Sequence, residues 1–326
     1  MPNEKNPMDQ NPRPLVTVIT PTYNRASLIV ETIESVLNQS YPHIEYIVLD
    51  DGSQDNTQAI LASYEGRILW DSHPNMGEAR TVNKGFKMAT GDYVIVVNSD
   101  DPILPGMIET EVAFMEAHPD LLMAYPDWLV IDAQSKPIKE NRAFDYDYVA
   151  MVRQASCLPG PGAILRRKAI ELVPERTTDF NYVTDLDYWL RLGLHGPCAR
   201  IPEVLASHRH HGESAGILQY RTLAAEIVRL MEEYFEQPDL PPEIRRLRDE
   251  AISAACYDAG QRCAGHDYRL AVSYLWRSMR LCPKRWIVDR RFRPFSLPVF
   301  FLPAPWYRTL HEAWKKLIRR TRSSTA

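Results

Sequence analysis

Two apolar segments of the chain end in pairs of aspartates. Residues 93–101 read YVIVVNSDD and residues 46–53 read YIVLDDGS. Such runs, bounded by turn formers, are typical of buried parallel strands, and open α/β sheets bind ligands at the carboxyl ends of these strands. Adjacent carboxylates repel each other unless a cation lies between them. The repeated pattern predicts a metal and ligand site, although Asp and Ser are also ordinary residues of a turn that ends a strand.

Strand-like and helix-like patterns alternate around these aspartates. Residues 15–20 and 67–70 predict two further strands, residues 78–88 predict a helix, and Ser27 is predicted to cap a helix that reaches about Gln39. Strands that alternate with helices form a mostly parallel sheet in an α/β protein. The glycine patterns of dinucleotide-binding loops and P-loops are missing from the sequence. Any phosphate group is therefore expected to be held by metal-bound carboxylates.

Charge and cysteine content limit the class of protein. The 326 residues carry a net charge of −4, yet the segment from Leu240 onward has 18 lysines and arginines against 7 acidic residues, and the part before it has 20 against 35. A basic tail on an acidic body suggests an anionic partner surface, either membrane or nucleic acid. Five cysteines without C-x-x-C spacing favour a reducing cytoplasm over disulfides or structural zinc. With no signal-peptide pattern and no apolar run of membrane-spanning length, the chain is predicted to be neither secreted nor integral to a membrane.

Six segments, taken in order, resemble the motifs of family 2 glycosyltransferases of the GT-A fold. Four lie in the amino-terminal half: VTVITPTYNR, IEYIVLDDGSQDNT, NMGEARTVNKGF and TGDYVIVVNSDD. Two follow later, TDLDYWLRL at residues 184–192 and HRHHGES at residues 208–214. The resemblance implies a GT-A type, mostly parallel sheet flanked by helices, with an α-helical carboxy-terminal extension.

The resemblance also assigns the nucleotide site. Tyr23 is expected to stack on the base, Asp51 to accept a hydrogen bond from the base imide, and Arg25 and Arg80 to contact the diphosphate, although surface ion pairs are the commoner fate of arginines. Asp100 is expected near the ribose. The full set of implied nucleotide-binding residues is Pro21, Thr22, Tyr23, Asn24, Arg25, Asp51, Arg80 and Asp100.

The implied cofactor is Mn²⁺ or Mg²⁺. The resemblance gives Asp101 and His211 as its ligands, and hard divalent cations accept carboxylate and phosphate oxygens. The alternative for His211 is that the run HRHH is a basic strand end that binds phosphate by charge alone. Asn98 stands where the family often has Asp, which leaves one carboxylate fewer in this site.

The implied catalytic base is Asp185. It precedes an apolar helical stretch, and in the family the corresponding carboxylate takes the proton of the acceptor hydroxyl as that hydroxyl attacks the anomeric carbon. The alternative is that Asp185 only caps the helix, because Thr184 replaces the usual Glu.

The implied function is metal-dependent, inverting transfer of a single sugar. A nucleotide-diphosphate sugar, with UDP as the expected nucleotide, is the donor. The acceptor is a saccharide or a lipid-linked saccharide in bacterial cell-surface polysaccharide or glycan synthesis. Two alternatives remain: a non-catalytic nucleotide-binding scaffold, and a sugar nucleotidyltransferase, which is disfavoured because its glycine-rich phosphate loop is missing.

The sequence predicts four regions: a disordered N-terminus (1–13), a GT-A catalytic domain (14–218), a helical extension (219–293) with a helix pair at 251–279, and an apolar and basic amphipathic tail (294–326). The tail suits an anionic membrane surface or, equally, packs on its own domain. The expected location is the cytoplasm, peripheral at the inner face of the membrane, with no nucleic acid partner.

Overall fold

The structure is a computed structural model that describes residues 13–210, 219–264 and 266–284. His211 and the predicted tail at 294–326 lie outside the described residues. The chain divides into two compact units. The first consists of Met1–Tyr146, Cys157–Asp179 and Asp187–His211, and the second of Asp147–Ser156, Phe180–Leu186 and Gly212–Ala326.

An eight-stranded sheet organises the first unit in the part of the chain that the structure describes. Its strands are β1 (Val16–Thr22), β2 (Ile44–Asp50), β3 (Leu69–Ser72), β4 (Tyr93–Val96), β5 (Met123–Ile131), β6 (Pro137–Asn141), β7 (Ile164–Arg166) and β8 (Cys198–Arg209). They lie in the order β3-β2-β1-β4-β7-β5-β6, and β8 pairs with β5. Strands β3, β2, β1 and β4 are mutually parallel, and β7 runs antiparallel to both β4 and β5. The predicted α/β class with a mostly parallel sheet is confirmed.

Helices connect these strands and build the second unit. They are α1 (Ile29–Leu37), α2 (Thr57–Ala62), α3 (Glu78–Met88), α4 (Met107–Ala117), α5 (Tyr148–Gln154), α6 (Arg167–Leu172), α7 (Thr184–Leu192), α8 (Tyr220–Glu236), α9 (Pro242–Arg245), α10 (Arg248–Ala264) and α11 (Tyr268–Leu281). None of the helices in these described stretches is both long and apolar enough to cross a bilayer.

Helix α1 begins later than its predicted cap. The N–H groups of Leu28 and Ile29 both donate to the carbonyl of Arg25, so a backbone turn starts the helix. Leu28 is the capping residue, and it makes no side-chain capping bond. The prediction that Ser27 caps this helix is wrong, because the turn places the helix start two residues beyond Ser27.

Strand β1 packs against both α1 and α3, through different residues. Every residue of β1 is buried, and Ile29, Ile33 and Val36 line the buried face of α1. Helix α3 lies so close to β1 that a Cβ added at Gly85 would lie 2.5 Å from Cγ2 of Ile19. This close packing sets the distance of α3 from β1 at Gly85.

The second unit contains the predicted helix pair, now α10 and α11. Ser253 Oγ donates to the Ser278 carbonyl at 2.8 Å, and Ser278 Oγ donates to the Ser253 carbonyl at 2.7 Å. Cys256 and Cys263 are fully buried on α10. Small side chains and reciprocal serine bonds therefore hold the two helices together.

Glu111 on α4 is a buried acid in the core of the first unit. It is fully buried and shares the inner face of α4 with Met107 and Met115. Neither carboxyl oxygen has a hydrogen-bond partner among the described residues. Burial raises the pKa of Glu111 well above its ordinary value of 4.5, since an isolated charge is expensive in an apolar surrounding.

We predict that Glu111→Gln removes the part of the pH dependence of the free energy of unfolding that comes from ionisation of Glu111. Because the folded-state pKa is raised, Glu111 favours the folded state most below 4.5 and loses this contribution as the pH rises toward the folded-state pKa. The free energy of unfolding of the wild type should fall by up to about 1.4 kcal/mol per pH unit through that window relative to Glu111→Gln. Urea denaturation between about pH 5 and about pH 8 measures the difference.

The matched control is Glu109→Gln, an exposed glutamate of the same helix. This variant should follow the wild-type pH dependence, because surface ion pairs contribute little to stability. If the free energies of unfolding of the wild type and of Glu111→Gln change in parallel with pH, Glu111 does not retain its proton in the folded chain.

Candidate functional site

Three loops of the first unit start at one edge of the sheet. In the strand register, Thr22 of β1 lies opposite Asp50 of β2, and Ile19 of β1 lies opposite Val96 of β4. The chain therefore leaves β1, β2 and β4 on the same side. This edge, at the carboxyl ends of the parallel strands, is where open α/β sheets bind ligands.

The loops after β1 and β2 are joined by hydrogen bonds. The backbone N–H of Asn24 donates to Ser53 Oγ at 2.8 Å, and Asn24 Oδ1 accepts the N–H of Gln54 at 2.8 Å. The N–H of Arg25 donates to Thr57 Oγ1 at 3.0 Å. Asn24 has a φ of 52°, in the left-handed region that asparagine tolerates better than most residues. The two predicted nucleotide loops thus form one surface.

Tyr23 projects from this surface. Its exposed fraction is 42%, which is unusual for a large aromatic side chain next to a buried strand. Pro21 and Thr22, immediately before it, are buried as the last residues of β1. Thr22 Oγ1 is buried and has no hydrogen-bond partner within the described residues. An exposed ring on a hydrogen-bonded loop can serve as a stacking platform for a planar ligand.

Asp50 is a structural carboxylate. It is fully buried and accepts hydrogen bonds from Gln58 Nε2 and from Ser72 Oγ, both at 2.8 Å. Its two oxygens also lie 3.3 and 3.2 Å from the N–H of Ser53. Asp50 therefore connects the end of β2 to helix α2 and to the end of β3.

Asp51 holds the loop between β3 and α3. Its Oδ1 accepts the N–H of Met76 at 2.7 Å, and its Oδ2 accepts the N–H of Gly77 at 3.0 Å. Asp51 is 4% exposed, and His73 Nδ1 lies 3.5 Å from its Oδ1. Each oxygen has a further lone pair with which to accept a bond from a ligand.

Gly52, the next residue, permits this contact. Its φ is +76°, and an added Cβ would lie 2.8 Å from the backbone nitrogen of Asn75. Glycine adopts this backbone conformation without strain and leaves room for the loop that Asp51 binds.

Asp101 is buried by residues from two directions. It is 4% exposed, its Oδ1 accepts the N–H of Arg209 at 2.7 Å, and its Oδ2 accepts Asn98 Nδ2 at 3.1 Å. Nδ1 of His208 lies 3.5 Å from Oδ2. The hydrogen bond to Asp101 is the main cause that raises the pKa of His208. Asn98 thus supplies an amide donor to Asp101 rather than the further carboxylate that is common in the family.

Arg25, Arg80 and Asp100 lie at the same edge of the sheet. Arg25 Nε lies 3.6 Å from Asp100 Oδ2, which links the loops after β1 and β4. Arg80, in the first turn of α3, donates from Nη1 to the carbonyl of Met76 at 3.1 Å. Arg80 therefore contacts the loop that Asp51 holds, and it remains exposed.

The side chains at this edge supply only part of a ligand set for a divalent cation. Among the residues that the structure describes, no cluster of three or more His, Cys, Asp or Glu side chains could hold a metal by itself. Mg²⁺ and Mn²⁺ are commonly held by one or two carboxylates together with substrate phosphate oxygens. Asp101 and the neighbouring Asp100 suit that arrangement, and His208 is the described histidine beside Asp101.

The two carboxylates of the later motif differ in their surroundings. Asp185 belongs to the second unit, is exposed in the first turn of α7, and its Oδ1 accepts the N–H of Leu186 at 2.7 Å. Asp187, in the first unit, binds Arg191 Nε at 2.9 Å and Arg191 Nη2 at 2.6 Å. Burial raises the pKa of Asp187, and Arg191 opposes that effect. Asp187 is therefore structural, which leaves Asp185 as the accessible carboxylate of the motif.

The contacts that three residues make at the carboxyl end of β4 were not predicted from the sequence. Asn98 and His208 contact Asp101, and Arg209 supplies both its N–H to Asp101 and its Nε to the carbonyl of Asp100 at 2.8 Å. The Arg209 side chain is 1% exposed and also pairs with Glu31. A buried arginine at the end of a strand has no local sequence signal, because its partners come from distant parts of the chain.

A family model and a curated relative match the region that contains these loops. Residues 17–173 match the model described as glycosyl transferase family 2. The chain is 43% identical over 110 residues to the putative teichuronic acid biosynthesis glycosyltransferase TuaG of Bacillus subtilis. That match covers 32% of this chain and 43% of TuaG, so the chain spans less than half the length of this relative.

Two solved structures share the fold. TarS 1-349 of S. aureus in complex with UDP-GlcNAc has a TM-score of 0.65 at 18% identity, over 93% of this chain and 92% of that one. The mannosyltransferase PcManGT of Pyrobaculum calidifontis, in complex with GDP-Man and Mn²⁺, has a TM-score of 0.58 at 19% identity, over 96% and 92%. With the β1, β2 and β4 loops inside the matched region, residues 17–173 form a family 2 glycosyltransferase domain on a GT-A type sheet.

Proposed function

We propose that this protein is an inverting glycosyltransferase that uses a nucleotide-diphosphate sugar. The observation that carries the proposal is the shared edge of β1, β2 and β4. There, hydrogen-bonded loops present an exposed tyrosine, two arginines and the carboxylates Asp51, Asp100 and Asp101 within the family 2 domain. An aromatic surface, guanidinium groups and carboxylates suit the base, the diphosphate and a cation, respectively.

The donor is bound by the first two loops in this proposal. Tyr23 stacks on the base, Asp51 accepts the imide hydrogen, and Pro21, Thr22 and Asn24 contribute backbone and polar contacts. Arg25 and Arg80 contact the diphosphate, and Asp100 contacts the ribose. UDP is the first nucleotide to test, because TarS is solved with UDP-GlcNAc, and GDP is the second, because PcManGT is solved with GDP-Man.

Asp101 is the proposed ligand of Mn²⁺ or Mg²⁺, and His211 is its proposed companion. PcManGT is solved with Mn²⁺, which supports the choice of cation. When bound, such a cation neutralises the negative charge of the departing diphosphate. Asn98 and the Arg209 N–H orient the Asp101 carboxylate through the bonds described above.

Asp185 is the proposed general base. The acceptor hydroxyl oxygen forms a bond to the anomeric carbon as the bond from that carbon to the diphosphate oxygen breaks. The hydroxyl proton passes to Asp185, the nucleoside diphosphate departs, and the single displacement inverts the anomeric centre. The exposure of Asp185 supports this assignment.

A bacterial saccharide or lipid-linked saccharide is the proposed acceptor, in the synthesis of a cell-surface polysaccharide or glycan. The name of TuaG, which refers to teichuronic acid biosynthesis, supports this class of acceptor. We also propose that the enzyme acts in the cytoplasm and that its basic tail contacts the anionic inner face of the membrane, with no nucleic acid partner.

We predict that Asp101→Asn weakens metal-dependent nucleotide binding. With Mn²⁺ present, the affinity for UDP should fall at least about 10-fold, because an amide is a poorer ligand than a carboxylate. Without metal, the affinity should change little, since an asparagine can still accept the N–H of Arg209. Titration calorimetry with UDP and with GDP, each with and without Mn²⁺, measures both affinities.

The control for this variant is Asp120→Asn, an exposed aspartate of the same unit that precedes β5. It should bind nucleotide as the wild type does. If Mn²⁺ does not change the nucleotide affinity of the wild type, the metal proposal is refuted. A wild type that binds neither nucleotide would refute the donor proposal.

We predict that Asp185→Asn reduces turnover and leaves donor binding intact. The kcat for nucleoside diphosphate release from the preferred sugar nucleotide should fall about 10²-fold to 10⁴-fold, because the amide cannot accept the proton. The nucleotide Kd should stay within about 2-fold. A coupled assay of diphosphate release from UDP-, GDP- and dTDP-sugars, combined with calorimetry, measures both.

The same assay separates the enzyme from a scaffold. Binding of a nucleotide by the wild type without release from any donor, with water or a panel of saccharides as acceptor, would favour a non-catalytic protein. A donor that is synthesised rather than consumed when sugar phosphate and nucleoside triphosphate are supplied would favour a nucleotidyltransferase.

A further inference from the structure

The segment that precedes Asp185 has no helix or strand of its own. Residues 180–183 run as irregular backbone into α7, and residues 180–186 belong with α8 to the second unit. Phe180 and Val183 are nonetheless buried, with exposed fractions of 5% and 4%. The N–H groups of Asn181 and Tyr182 between them have no helix or strand partners, so they need hydrogen-bond acceptors from elsewhere.

Glu226 of α8 supplies those partners. Its Oε1 accepts the backbone N–H of Asn181 at 2.9 Å and Asn181 Nδ2 at 3.0 Å, and its Oε2 accepts the N–H of Tyr182 at 2.8 Å. Glu226 is 6% exposed. Three donors from two consecutive residues thus converge on one buried carboxylate, 45 residues away along the chain.

The chemistry of this contact requires a carboxylate. Both oxygens of Glu226 accept, and every group that faces them in these three bonds is a donor. A glutamine in its place would turn an amide NH₂ toward an N–H group, so that at least one of these part-buried donors would lose its partner. Hydrogen bonds to an ionised acceptor are also stronger than neutral ones.

Helix α8 makes a second contact with the same segment one turn later. The guanidinium carbon of Arg229 lies 4.3 Å from the centroid of the Phe180 ring. This distance is within the range of a cation–π contact. Glu226 and Arg229 therefore hold successive residues of the segment, from Phe180 to Tyr182.

We propose that Glu226 is a positioning residue for the general base. It fixes the backbone of Asn181 and Tyr182, and Asp185 follows Tyr182 by three residues in the first turn of α7. Release of this backbone would let the first turn of α7 shift, and a displacement of about 1 Å at a reacting group can cost about 10²-fold in rate. The inference rests on the proposed role of Asp185.

The test uses full-length Glu226→Gln, Asp185→Asn and the double variant. Glu226→Gln should lower kcat for diphosphate release about 10-fold to 100-fold and leave the donor KM and nucleotide Kd within about 2-fold. In the Asp185→Asn background, Glu226→Gln should have no further effect, because the group that it positions has already been lost. Equal losses of kcat in the two backgrounds would overturn the proposal.

Two further measurements separate positioning from loss of fold. Glu236→Gln, an exposed glutamate on the same helix, should retain wild-type kcat. Hydrogen exchange should show loss of protection at the amides of Asn181 and Tyr182 in Glu226→Gln, with protection of the β-sheet core unchanged. If the wild type releases no diphosphate from any donor, the proposed function has failed. If these amides keep wild-type protection in Glu226→Gln, Glu226 does not anchor the segment. This conclusion holds whether or not the wild type releases diphosphate.

Discussion

The site depends on the hydrogen bonds that buried carboxylates require at the ends of parallel strands. Asp50, Asp51 and Asp101 are all at most 4% exposed, and a buried carboxylate without donors is strongly disfavoured. Several of their donors come from other segments of the chain, including the N–H groups of Met76, Gly77 and Arg209. These bonds tie the strand ends to neighbouring segments and contribute to the shape of the site.

The two aspartate pairs look alike in sequence and behave differently in space. Asp50 accepts hydrogen bonds from Gln58 and Ser72, whereas the adjacent Asp51 accepts a hydrogen bond from the loop that leads into α3. In the other pair, Asp101 is buried against β8, and Asp100 retains 19% exposure of its side chain beside Arg25. Both members of the first pair are therefore buried, whereas Asp100 is the less buried member of the second pair.

The sequence predicted the regular elements and the edge of the sheet, because both follow from local patterns. Apolar runs gave β1, β2 and β4, and α3 lies at the predicted residues 78–88. Strand β3 begins two residues after its predicted start, because the N–H groups of Arg67 and Ile68 donate to the carbonyl of Tyr64 in the preceding turn. Ser27 failed as a cap because a backbone turn was sufficient to begin α1.

Contacts between distant residues were beyond this kind of prediction. Arg209 meets Asp101 across 108 positions, and Glu226 meets Asn181 across 45. Neither partner has a local signal, since a buried arginine and a buried glutamate look like surface residues in a helix or strand pattern. The roles of His211 and of the tail remain predictions. Asn98 was noted as a departure from the family, but only the fold reveals that its amide binds Asp101.

Gly52 sets a boundary on how the site could be re-engineered. Its left-handed backbone and the 2.8 Å approach of Asn75 N to the position of a Cβ exclude every other residue type without movement of the loop that Asp51 holds. A mutant library aimed at a new sugar nucleotide should therefore keep this position invariant. Its diversity belongs at exposed positions such as Tyr23, where a new side chain meets solvent rather than backbone.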